Sequence, residues 1–124
     1  IIMGSTSDEP HAKKITDKLD EYGITWEQHA ASAHKEPLKV LEILTANKDE
    51  KDIVYITIAG RSNALSGFVA ANCEFPTIGC PPFADKTDML VNIHSTLQMP
   101  SNVPVLTIID PENCAMAVKR IFGV

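Results

Sequence analysis

The chain has 124 residues, 44% of them apolar and 22% charged, which is the make-up of one soluble globular domain (residues 1–124) with a sizeable core. Its formal net charge of -5 argues against non-specific nucleic-acid binding, so an anionic ligand would need a local positive field set against the global one. Three cysteines without a CxxC pair suggest neither a disulfide framework nor a zinc site but a reducing cytoplasm, and neither a membrane-spanning run nor a signal peptide is visible.

The sequence opens on Ile1, inside an apolar run read as the tail of a first strand, which leaves room for a fused partner ahead of it. A first helix follows, with Ser7 or Asp8 as N-cap and Pro10 in its first turn. Ala12, Ile15, Leu19 and Tyr22 recur at helical spacing, and Gly23 marks the stop. Residues 24–29 read as strand two. Helix two is expected from Glu36 and Pro37, burying Leu38, Leu41 and Leu44 or their neighbours. A charged loop at 47–52 leads to strand three at 53–58, IVYITI. Helix three is expected over 62–72, and its small residues suggest close packing. Strand four is the short run 76–80, stopped by Pro81 and Pro82. Helix four is expected over 88–97 and strand five over 104–109. Asp110 then caps a last helix with Pro111 at its first position and Asn113 in its first turn.

Continuously apolar strands that alternate with helices predict a parallel sheet covered on both faces. With right-handed crossovers the expected fold is α/β: a three-layer α/β/α sandwich on a doubly wound five-stranded parallel sheet, flavodoxin-like order 2-1-3-4-5. Such a sheet binds ligands at the carboxyl ends of its strands. Three polar turns are expected there: Gly4-Ser5-Thr6-Ser7-Asp8, Ser32-Ala33-His34-Lys35, and the 59–67 segment AGRSNALSG. Together they offer hydroxyls, one imidazole, two cations and backbone N–H groups, a set suited to a phosphorylated small molecule.

Each residue has a plainer reading beside the functional one. The first turn has neither a GK[ST] nor the spacing of GxGxxG, and a helix cap alone would explain it, although a cap needs one such residue and here there are three. It can also offer hydroxyls and N–H groups to a phosphate, with Asp8 accepting from ribose. His34 suits proton transfer near neutrality, while the commoner fate of a loop histidine is solvation. Lys35 and Arg61 can neutralise a phosphate or stand as surface cations, and Arg61 has the further options of a neighbouring subunit or Asp8. His11, His29 and His94 read as a first-turn helix residue, a strand end and a mid-helix residue. No histidine has metal-ligand spacing with a carboxylate, so no metal is expected. A receiver domain would need an aspartate where Ala59-Gly60-Arg61 stands, a flavodoxin would need aromatics in the turns, and a serine hydrolase would need GxSxG.

Taken together, GSTSD, SAHK, AGRSNALSG, GCPP and HSTLQMPSNVPV resemble the signature blocks of the aminoimidazole ribonucleotide carboxylase family of purine biosynthesis, in order and over nearly the whole chain. The resemblance implies a cytoplasmic homo-oligomer, a tetramer or octamer, that acts on a small ribonucleotide without a cofactor. It implies that His34 transfers the proton, that Ser5, Ser7 and Asp8 bind phosphate and ribose, and that Lys35 supports the phosphate or carboxylate side. It implies, too, that Gly60, Arg61, Ser62 and Asn63 line a carbon dioxide pocket. Gly4 and Ser32, in the same turns, complete the expected substrate-binding set. Lys35 and AGRSNALSG are similar to class II, which carboxylates the ribonucleotide with free carbon dioxide and in animals is fused to a synthetase. The class I mutase, which carries SAHR and a glycine-rich loop, is the alternative, followed by a non-catalytic nucleotide-binding module. Two departures stand out. The family's C-terminal helical extension is not present here, and His94 follows Ile93 where class II members commonly carry an aromatic; His94 is given no role.

Overall fold

The computed structural model describes all 124 residues. Five strands form one fully parallel sheet in the order β2-β1-β3-β4-β5. They are β1 (Ile2–Met3), β2 (His29–Ala30), β3 (Tyr55–Ile58), β4 (Thr77–Gly79) and β5 (Leu106–Thr107). The helices are α1 (Glu9–Glu21), α2 (Pro37–Ala46), α3 (Leu65–Ala71), α4 (Lys86–Leu97) and α5 (Pro111–Phe122). The expected order and layering are therefore observed.

The core lies on both sides of the sheet because strand residues alternate between its faces. Met3, Ile56, Ile58 and Ile78 point toward α1 and α5 and pack with Ala12, Ile15, Leu19, Ala115 and Val118. Ile2 and Tyr55 point the other way, into a cluster with Val40, Ile43, Leu44, Leu65 and Val69. Gly79 lets the layers close: a Cβ there would lie 3.1 Å from Ser66 Oγ and 3.3 Å from Thr96 Cγ2.

Several boundaries differ from expectation, each for a physical reason. Strand two pairs only at His29–Ala30, so His29 begins the ladder rather than ending it. The register places Ile2 opposite His29, and Ile1 N donates to Glu27 O at 2.8 Å. Helix two buries Val40, Ile43 and Leu44, which at i, i+3 and i+4 share one face, while Leu38 falls off that face and is exposed. Helix three starts at Leu65, not at Ser62: Ser62 sits in the left-handed region at φ 48°. Asn63 Oδ1 accepts from Ser66 N at 3.0 Å, the geometry of an N-cap. Helix four begins two residues early, since Asp85 accepts from Asp88 N at 2.8 Å and Asp88 accepts in turn from Ala84 N. The last helix is as expected, with Asp110 accepting from Asn113 N, Pro111 in the first turn and Gly123 at φ 71° closing it.

Candidate active site

Parallel strands bring all five carboxyl ends to one edge of the molecule, and short backbone bonds hold the turns that leave them. Gly4 N donates to Ile58 O and Ala31 N to Met3 O, both at 2.9 Å, which seats the first turn between the other two. Cys80 N donates to Thr57 O at 2.9 Å, bringing the Pro81-Pro82 turn alongside Gly60. The structure thus juxtaposes the three predicted turns and adds a fourth.

The first turn is a single 3-10 turn, Thr6–Asp8. Ser5 caps it by accepting from Ser7 N at 3.2 Å, and the two hydroxyls lie 2.9 Å apart. Asp8 follows at the start of α1, but its carboxylate makes no capping bond. Burial pushes the Asp8 carboxyl above its ordinary value, and the charge of His11 and the Ser5 backbone act in the opposite direction. An acidic group kept partly from water, with no helix bond to make, is available to donors on a ligand.

The second turn is shaped by Ser32, whose hydroxyl accepts from Lys35 N at 3.2 Å and whose carbonyl accepts from Glu36 N at 2.7 Å. Lys39, one turn into α2, donates to Ala30 O at 2.7 Å and braces the turn from behind. His34 and Lys35 are left exposed at the tip, and the His34 ring has no partner within the chain. Lys35 and Arg61 take part in none of the five ion pairs, so both cations are free for an anion. An Arg61–Asp8 pair, one of the expected options, does not form.

In the third turn, the N–H groups of Gly60, Arg61 and Ser62 have no acceptor in the chain. Asn63 differs from expectation. It is buried, its amide bonds Ser66 and Thr96, and its N–H donates to Ser95 Oγ at 2.9 Å. Its side chain is turned into the fold, so the open donors number three rather than four.

His11, in the first turn of α1 as expected, also faces this edge of the sheet. Its Nε2–H donates to Cys80 O at 3.0 Å, with Cys80 Sγ 3.5 Å away. The spacing was a usable signal, because residues three apart on a helix share a face and His11 is three after Asp8. The Cys114 thiol, and then His11, pull the Cys80 thiol down to about 6 against its burial, and the same pairing pushes Cys114 up.

A cavity of about 820 Å³ lies at the opposite end, where Tyr22, Ile24, Trp26, Ile53 and Phe122 line it at the amino ends of the strands. None of the candidate residues reaches it. A shallower hollow of about 530 Å³ adjoins the first turn at Thr6, Ser7 and Lys13. No group of three His, Cys, Asp or Glu side chains has the arrangement of a metal site.

Known proteins carry the same architecture. The AIR carboxylase family matches residues 1–124. A phosphoribosylaminoimidazole carboxylase of Archaeoglobus fulgidus is 50% identical over 123 residues, which span 99% of this chain and 67% of that protein. One from Treponema denticola is 42% identical over 99% of this chain and 77% of its own length. The crystal structure of Treponema denticola PurE superposes with a TM-score of 0.90 at 41% identity, covering 98% of this chain and 77% of that one. A mouse bifunctional carboxylase/succinocarboxamide synthetase is 36% identical, this chain spanning 29% of it. A match over the full length, at these identities and with the same sheet order, leaves one conclusion: the chain belongs to the AIR carboxylase family, enzymes of purine biosynthesis.

Proposed function

We propose that the chain carboxylates 5-aminoimidazole ribonucleotide with free carbon dioxide, the class II reaction, giving the 4-carboxy product. The observation that carries this reading is the edge itself: one unpartnered imidazole, two unpaired cations and three open N–H donors around a partly buried carboxylate.

The ring carbon of an aminoimidazole is an enamine carbon and is nucleophilic without activation. It attacks carbon dioxide, a carbon–carbon bond forms, and one C=O electron pair moves onto oxygen to make the carboxylate. The ring carbon then loses its proton to His34, which passes it to solvent, and the ring regains its aromatic electrons. Overall, ribonucleotide and carbon dioxide give carboxylated ribonucleotide and one proton. The N–H groups of Gly60, Arg61 and Ser62 receive the developing carboxylate, as fixed dipoles aimed where charge appears. Ser5 and Ser7 hold phosphate, Asp8 holds the ribose hydroxyls, and Lys35 supplies a local counter-charge against a net charge of -5.

The class I mutase remains the second reading. Against it stand Lys35 in place of the mutase arginine and AGRSNALSG in place of a glycine-rich loop. The test is carboxylation of the ribonucleotide with ¹³C-labelled carbon dioxide, with ATP absent and EDTA and avidin present. Labelled product supports the reading. Its absence, with the ribonucleotide still bound, would leave the mutase or a nucleotide-binding module, told apart by turnover of N-carboxyaminoimidazole ribonucleotide.

A further inference from the structure

Asn63 makes four hydrogen bonds, and chemistry fixes their direction. Its Nδ2 can only donate, to Ser66 Oγ at 2.7 Å and Thr96 Oγ1 at 3.0 Å. Its Oδ1 accepts from Ser66 N, and its own N–H donates to Ser95 Oγ. Ser66 Oγ lies 2.6 Å from Thr57 Oγ1 and donates to it, because the Thr57 proton has its own acceptor. The Thr57 proton is left with Ile78 O, 3.4 Å away. Ser95 passes its proton to Asn92 O at 3.1 Å. The chain of donors therefore runs one way, from the third turn into the backbone of β4.

Asn63, Ser66, Thr57 and Thr96 are all buried. An unmade bond among them would be an unsolvated polar group, so the network has one arrangement rather than several. It fastens a single residue to β3, α3 and α4 at once. The next residue back is Ser62, held at φ 48°, a conformation a serine leaves readily unless something maintains it. Immediately before it stand the open N–H groups of the turn.

We propose that Asn63 is a positioning residue: the lock it forms with Thr57, Ser66, Ser95 and Thr96, rather than any contact of its own, fixes the 60–62 donors where the new carboxylate arises. The inference rests on the carboxylase reading above. It makes Ser95 and Thr96, on a helix that contributes nothing else to the site, determinants of turnover.

The test uses three variants of the intact chain. Thr96→Val removes one acceptor of the Asn63 amide without changing side-chain shape. Ser95→Ala removes the acceptor of the Asn63 N–H together with the local bond to Asn92 O and is the milder change. Val69→Ala, on the buried face of α3, loosens packing without removing a bond of the lock. Backbone order parameters for Gly60, Arg61 and Ser62 are read by ¹⁵N relaxation, beside kcat and the KM for the ribonucleotide. In the wild type these residues should show values near about 0.85, falling below about 0.6 in Thr96→Val and Ser95→Ala. Turnover in those two should drop on the order of tenfold to a hundredfold, with KM held within about threefold. Val69→Ala should melt earlier yet keep loop order and kcat. The proposal is overturned if Ser95→Ala and Thr96→Val keep both, or if Val69→Ala loses turnover equally. A wild type without carboxylation would instead sink the carboxylase reading, and the order parameters would still decide whether the lock holds.

Discussion

His34 sits at an exposed turn tip with no bond to its own chain, so removing its ring disturbs little besides chemistry. His34→Asn should keep the melting temperature and ribonucleotide affinity and lose about a hundredfold to ten-thousandfold in kcat. A variant within a few-fold of wild-type turnover would remove His34 from the mechanism. Asp8 has the opposite character. Its folded carboxyl binds a proton more tightly than the unfolded one, because burial raises it from the ordinary value of 3.8. The sign follows: stability falls as pH rises from the unfolded value through the raised folded one, and the cost persists at neutral pH. Asp8→Asn should therefore melt no lower than wild type at pH 7 while binding the ribonucleotide more weakly. A clear loss of thermal stability with unchanged binding, followed by calorimetry, would show that Asp8 serves the fold.

The elements were legible in the sequence where local chemistry decides them. Asp110-Pro111 before α5 and the buried run of β3 are set by neighbours in the chain, and both were predicted. Partners distant in sequence decide the rest. The length of β2 depends on where β1 lies beside it, and the start of α3 on an amide that reaches across to Thr96. The same distinction hid the role of Asn63. In sequence it looks like one more polar residue of a ligand turn, and only the packing of α4 turns it inward. Lys35 and Arg61 were read either as phosphate ligands or as surface cations, with Asp8 or a neighbouring subunit as further options for Arg61, and neither forms an ion pair within the chain. Close packing also separates two glycines. A Cβ on Gly67 would lie 2.9 Å from Met99 Sδ, the end of a flexible side chain that can move aside. A Cβ on Gly79 would press on Ser66, Thr96 and Val105 together, within 3.4 Å. Gly67→Ala should be close to neutral, since better helix propensity offsets the shift of Met99. Gly79→Ala should cost about 1–3 kcal/mol in urea unfolding. Equal effects would contradict the packing argument.

For the whole molecule, the apolar surface is unevenly distributed. Only Thr96 of α4 is buried, while Leu90, Val91 and Leu97 are exposed, and Leu106 is half exposed on the edge strand beside it. This supports the expectation of a homo-oligomer. Sedimentation should give a mass several times 13.5 kDa, falling with Val91→Glu; a wild-type monomer would contradict it. No helix is long and apolar enough to cross a membrane. The doubly wound sheet gathers its chemistry at one edge, and the central claim is that this edge admits free carbon dioxide to a ring already bound. The most direct measurement is the initial rate of carboxylation, started with dissolved carbon dioxide or with bicarbonate before the two equilibrate, beside turnover of N-carboxyaminoimidazole ribonucleotide. The enzyme should show an immediate rate with carbon dioxide, a lag with bicarbonate, and little or no use of the N-carboxylated substrate. Rapid conversion of that substrate, indifferent to added carbon dioxide, would contradict the central claim and establish the mutase reaction.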